Sequence, residues 1–153
     1  FDGEGFLTSK KTLIEDGKLT TWILDLASAR QLGLASTGNA SRGTGGPPSP
    51  GATNIYLEAG EPTPEELMAD IEEGFYVTEL IGMGINGLTG DYSRGASGFW
   101  IEKGQIAFPV SEMTIAGNLN DMFKALRPAN DLVFKFGTDA PTLRIDGMTV
   151  AGV

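Results

Sequence analysis

Apolar and polar positions alternate over most of the chain, and only a few stretches recur at helical spacing. Residues 12–15 and 18–22 are rich in β-branched and apolar side chains and flank Asp16-Gly17. That dipeptide predicts a hairpin, because both of its positions tolerate φ > 0. Residues 75–83 read as a strand with Phe75, Val77, Ile81 and Met83 on one side, and Glu79 breaks that alternation. A second long strand is predicted over 93–101. It turns at Glu102-Lys103-Gly104 and returns through 105–108. Pro109 predicts an edge or a bulge, and 112–116 another short strand. Residues 4–8 and 53–57 read as short strands. Leu132, Phe134 and Phe136 alternate with Val133 and Lys135 and predict a half-buried strand. Residues 142–145 and 148–150, joined by Asp146-Gly147, predict a closing hairpin.

Three helices interrupt this pattern. Residues 25–32 are bounded by Asp25 as cap and Gly33 as terminator. Thr63-Pro64-Glu65-Glu66 combines a capping threonine, proline at the first helical position and a capping-box glutamate. Leu67, Met68 and Ile71 then form its apolar stripe, and Gly74 is its expected end. Asn118 caps a third helix, in which Leu119, Met122, Phe123 and Leu126 recur at helical spacing before Pro128. Residues 33–52 have no apolar period and read as a long loop, either a flexible connector or a functional segment. The sum is an α+β, β-rich fold of mainly antiparallel strands and hairpins with two or three short helices, organised as a single domain over residues 1–153.

Composition narrows the chemistry. The formal net charge is −9 and the basic residues are scattered. Nucleic acid and anionic membrane are therefore poor partners, since phosphate binding needs clustered Lys and Arg. No apolar run reaches the roughly 18–20 residues that span a bilayer. The chain contains no cysteine and no histidine. That removes a thiol nucleophile, an imidazole base and any zinc site built from nitrogen or sulfur ligands. The absence of cysteine fits a reducing compartment. The chain opens on Phe1, so it reads as a fragment lacking an N-terminal half. Gly82, Gly84 and Gly87 match G-x-G-x-x-G, but no helical pattern follows, so the pyrophosphate would meet no helix N-terminus.

Residues 76–119 hold eight of the twenty-two glycines, a density that marks close backbone approach. The runs 77–86 and 89–102, together with 36–40, Pro109-Val110, 112–119, Asn130-Asp131 and 141–143, resemble the TldD/PmbA family in order along the chain. The run 92–102 resembles the PmbA (TldE) branch. The resemblance implies the C-terminal domain of a cytoplasmic metallopeptidase system that cuts unfolded peptides such as microcin precursors and antitoxins. In that system a TldD-like subunit holds zinc through an HExxxH helix and a later cysteine. The segment matching that cysteine region, 130–137, has none, and Phe134 and Phe136 are expected to fill the space.

The resemblance therefore implies a subunit without metal of its own. Its partners would be a homologous TldD-like subunit, or itself as a dimer, and an unfolded peptide. Two alternatives remain at this level. One is a self-sufficient homodimeric metallopeptidase with HExxxH in the missing half. The other is a non-enzymatic module that binds a partner such as gyrase or a toxin–antitoxin component. No residue is expected to be catalytic or to bind metal. The candidates for contact with the peptide channel or the partner are Asn39, Asp91, Tyr92, Ser93, Arg94 and Asn118. Among them Arg94 is the most functional-looking cation, suited to a peptide carboxylate, to peptide carbonyls or to an acidic patch on the partner. Structural roles compete in every case: an ion pair from Arg94 to Asp91, capping or turn duty for Asn39 and Asn118, and an ordinary turn at Tyr92-Ser93.

Overall fold

The computed structural model describes residues 1–152. The chain divides into two compact units, one covering Phe1–Ile55 and one starting at Tyr56. Strands outnumber helices and every pairing recorded strand by strand is antiparallel, as the alternating pattern predicts.

In the first unit, β1 (Ile14–Glu15) and β2 (Lys18–Leu19) form the Asp16-Gly17 hairpin, with φ values of 48° and 73° at the turn. Helix α1 (Leu26–Leu32) starts where Asp25 accepts the Ser28 amide at 2.8 Å and ends where Gly33 turns left-handed. The expected strand over 4–8 does not form. Gly5 sits at φ 84°, and the Asp2 carboxylate instead gathers the amides of Glu4, Phe6 and Ala40 into a turn. The backbone bond from Ala40 is the main reason that the Asp2 carboxyl lies below its usual range. The loop expected over 33–52 is also more ordered than its composition suggests. Thr37 exchanges hydrogen bonds with the Leu24 backbone, and β3 (Ala40–Ser41) pairs with β4 (Ser49–Pro50).

Strands β5 (Ile55–Tyr56) and β10 (Thr138–Asp139) have two residues each, and the second unit is built on a four-stranded sheet in the order β12-β8-β7-β6. Strand β6 covers Glu73–Ile81, β7 Asp91–Glu102, β8 Gln105–Asn118 and β12 Thr149–Ala151. Lys103 and Gly104, at φ 47° and 75°, form the two-residue β7–β8 turn. The strands break step at one level. Thr78 is an extra residue in β6 between the pairs Val77↔Gly98 and Glu79↔Ser97, and Ser111 and Glu112 of β8 share a single partner position opposite Ser97. A second bulge sets Ala107 and Phe108 against Trp100. Pro109 thus lies between two bulges, where a missing amide does least harm. The bulge at Thr78 also corrects the expected face of β6. Phe75 and Val77 share their side with Leu80, whereas Ile81 joins Glu79 on the other.

Three other expectations fail in this unit. Helix α2 (Pro64–Met68) has the full capping box, with Glu66 N–H on Thr63 Oγ1 and Thr63 N–H on the Glu66 carboxylate, but it stops at Met68. Gly74 is not its terminator; it lies in β6, where a Cβ would come within 2.7 Å of Ile71. The expected strand over 132–136 is absent. The Asp139 carboxylate draws in the amides of Lys135 and Phe136, Val133, Phe134 and Phe136 stay largely exposed, and the segment follows an irregular path. Phe134 and Phe136 therefore fill no internal space; Phe134 instead meets Tyr56 edge-on, with ring centroids 5.1 Å apart. Finally, the two segments flanking Asp146-Gly147 do not pair with each other. Strand β11 (Leu143–Ile145) pairs with β9 (Leu126–Pro128), and β12 pairs with β8. Asp146 is held by Arg127 and Arg144, which binds β11 to the β9 side.

The capping box gives a direct check. Thr63→Ala is expected to destabilise the second unit by about 1 kcal/mol, read as a lower thermal midpoint with an unchanged far-UV spectrum. Thr63→Ser should recover most of the loss.

Candidate functional site

Five of the six candidates meet at one corner of the second unit. Asp91, Tyr92, Ser93 and Arg94 begin β7, and Asn118 ends β8 directly opposite Asp91. The sixth, Asn39, belongs to the first unit; its Oδ1 is buried without a hydrogen-bond partner, while its carbonyl accepts the Gly51 amide.

The connection between β6 and β7 is held by its own hydrogen bonds. Asn86 is its organiser. Its Oδ1 accepts the amides of Leu88 and Thr89, its carbonyl accepts that of Gly90, and its own amide donates to Asp91. Thr89 Oγ1 donates to the Asp91 carboxylate at 2.7 Å, and Asn118 Nδ2 donates to the Thr89 carbonyl at 3.0 Å. Gly84 lies so close to β7 that a Cβ would fall 1.6 Å from the Ser93 carbonyl oxygen. The G-x-G-x-x-G glycines thus serve a strand-to-strand connection, with no helix after them. Met83 and Leu88 project from it almost fully exposed. A shallow groove of about 370 Å³ runs along Met83–Asn86 and Asp91–Ser93.

Arg94 makes no ion pair with Asp91, which is occupied by Thr89. Its Nη2 instead donates to the Leu80 carbonyl in β6 at 3.3 Å. Phe99 and Trp100 lie partly exposed in β7. Asn118 combines its bond to Thr89 with acceptance of the Asn120 amide at the start of α3 (Leu119–Ala125). Asn118→Ala should therefore loosen the loop as well as the helix end. Amide exchange at Gly90 and Leu119 is expected to speed up about tenfold, for a loss of about 1–1.5 kcal/mol.

Sequence reasoning missed two organisers. Asn86 carried a signal in its Asn-Gly dipeptide. Arg144 carried none, because its partners Leu67 and Asp70 lie 77 and 74 positions away. Arg144 reaches the Leu67 carbonyl at 2.6 Å, the Asp70 carboxylate, and Asp146 at 2.8 Å. Its hydrogen bonds are the main cause that holds the carboxyls of Asp70 and Asp146 below their usual range.

The sequence profile of the PmbA/TldA metallopeptidase C-terminal domain matches residues 1–152. The chain belongs to that family. The metalloprotease PmbA of Escherichia coli O157:H7 is 42% identical over 154 residues, covering 99% of this chain and 32% of that protein. A Thermotoga maritima structure named as a candidate modulator of a DNA gyrase superposes with a TM-score of 0.84 at 36% identity, over 99% of this chain and 35% of that one. TldE from Thermococcus kodakarensis superposes with a TM-score of 0.85 at 26% identity, over 99% of this chain and 36% of that one. The chain thus spans about a third of the length of these PmbA/TldA relatives.

A family named for metallopeptidases raises the question of metal ligands. The residues present here do not fit one. The chain has no histidine or cysteine, and no three acidic side chains converge among the described residues. No described helix is long and apolar enough to cross a membrane.

Proposed function

We propose that this chain is the C-terminal domain of a PmbA (TldE)-type subunit that holds no metal itself. It pairs in the cytoplasm with a homologous TldD-like subunit that carries zinc. Together they degrade or process unfolded peptides of the microcin-precursor and antitoxin type, and this domain forms part of the wall of the peptide chamber. The observation that carries the reading is the donor set: the chain has no histidine or cysteine, and no acidic cluster occurs among the described residues, so this domain supplies no nitrogen or sulfur ligand to a metal centre. Likeness to PmbA and TldE supports the branch.

The sheet supports the role of wall. Strand β6 is its outer strand, open along Glu73–Ile81, and an added peptide strand there gains main-chain hydrogen bonds whatever its sequence. Tyr92 and Ser93 line the adjoining groove.

The test is metal analysis and proteolysis on the full-length protein purified with its TldD-like partner. Zinc is expected only on the partner, and deletion of this domain is expected to abolish cleavage of an unfolded peptide. Stoichiometric zinc on the full-length protein alone, with cleavage by its homodimer, would sink the reading in favour of a self-sufficient metallopeptidase. Full cleavage by the complex after the deletion would also sink it.

A further inference from the structure

Arg94 is a cation without a counter-charge. No ion pair among the described residues includes it. Its Nε is buried with no partner, and of the guanidinium's five N–H groups a single bond is made, to the carbonyl of Leu80. The nearby acids are engaged elsewhere: Asp91 holds Thr89, and Glu79 holds the Ser97 hydroxyl. Both of these acids lie on the opposite face of the sheet by register, since Glu79 pairs with Ser97 and Asp91 alternates with Tyr92.

The surroundings of Arg94 are apolar. Directly paired residues share a face, so Arg94 stands with Ile115 and Val150, and the next rung holds Leu80, Ala96 and Met113. On its other side, Tyr92 pairs with Ile85 on the same face. An unpaired guanidinium on an apolar surface is costly unless an anion arrives, and its planar fork matches a carboxylate in two-pronged fashion.

Position decides which carboxylate. The guanidinium ends at the carbonyl of Leu80, in the outer strand of the sheet, at the end where the groove of Met83–Asn86 and Asp91–Ser93 begins. Cation, open edge and a groove of mixed lining, with Met83, Ile85 and Tyr92 beside Asn86, Asp91 and Ser93, are contiguous. We propose that Arg94 receives the C-terminal carboxylate of an extended peptide seated at the end of β6, with the peptide's last, apolar side chain against Ile85 and Tyr92. This rests on the peptide-processing reading above and adds a polarity to it: the domain would select chains by their free C-terminus.

The experiment uses the full-length protein with its partner subunit and a fluorescein-labelled eight-residue peptide ending in leucine. The peptide is made as the free acid, as the C-terminal amide, and as an amide ending in glutamate. Fluorescence anisotropy should show the free acid binding about tenfold more tightly than either amide. Arg94→Met should remove that preference, and Arg94→Lys, which keeps the charge but loses the fork, should retain about threefold. Circular dichroism verifies the fold of each variant, and the lysine variant alone decides if the methionine variant fails to fold. Equal binding of all three peptides to the wild type, a preference that survives Arg94→Met or is undiminished in Arg94→Lys, or equal binding of the acid and the glutamate-ending amide would overturn the proposal. So would loss of the partner subunit from Arg94→Met, because the carboxylate would then belong to that subunit. An intact acid preference without cleavage of any peptide would count against the peptidase reading and leave the Arg94 site standing.

Discussion

Gly98→Ala is expected to be among the most damaging single-methyl additions in the second unit. Gly98 is buried in β7 at the level where the three long strands break step. A Cβ there would lie 2.0 Å from the Tyr76 carbonyl oxygen and 3.0 Å from the Thr78 amide nitrogen. Both are backbone atoms of the neighbouring strand β6, so no side chain can swing aside. Overpacking of this kind costs about 3 kcal/mol or more. The domain's thermal midpoint should fall by about 10 °C, measured by calorimetry on the full-length protein. Gly95→Ala is the matched control on the same strand. Its Cβ would sit 3.5 Å from Ile81, an ordinary contact, and its midpoint should move by less than about 3 °C. Equal shifts in the two variants would refute the close-approach account.

Arg144→Met should be the most damaging loss of a charge. The side chain is only 14% exposed, while Asp70 and Asp146 are 70% and 54% exposed. Solvent therefore screens the two acids, and the ion pairs count for less than their geometry suggests. What the variant loses is the donor to the Leu67 carbonyl, near the end of α2, and a clamp joining α2, β11 and the turn to β12. The expected cost is about 2 kcal/mol. The pH dependence has a definite sign. Arg144 lowers the folded carboxyls of Asp70 and Asp146 below the ordinary value of 3.8. Their contribution is complete above that value and is lost as the pH falls below it, through the folded pKa. Urea midpoints between pH 6 and pH 2.5 should fall less steeply in Arg144→Met than in the wild type. An unchanged acid limb would show that the network does not couple to folding.

The parts legible in the sequence are those fixed by neighbours. Asp16-Gly17, the Asp25 and Gly33 caps, the Thr63 capping box and the Asn118 cap each need only residues within four positions, and all of them form. The main sheet was legible in outline, because β6, β7 and β8 are long and strongly patterned. The misses have a common cause. Thr78 and Ser111-Glu112 shift the ladder by one residue, which a period of two cannot register, although the misplaced Glu79 was its visible trace. The pairing of β11 with β9 depends on Arg127, Arg144 and Asp146, and that of β12 with β8 on β8 running unbroken past Pro109. The segment 132–136 alternates in composition, yet Asp139 takes the amides of Lys135 and Phe136, and Asp131 that of Thr142, away from strand pairing. In the candidate site, the Asp91–Arg94 run was readable as a block. The isolation of Arg94 from any acid was not, because it follows from which face each acid occupies.

The shared step at Thr78, Ser97 and Ser111-Glu112 also bears on how this sequence drifts among its relatives. A ladder that already absorbs one surplus residue in each strand flanking β7 can lose one there and keep its faces, provided the alternation beyond it shifts to match. Insertions and deletions should therefore gather inside β6 and β8 at these positions as well as in the loops. An alignment that penalises gaps within strands would put Leu80 and Ile81 out of phase with their true counterparts.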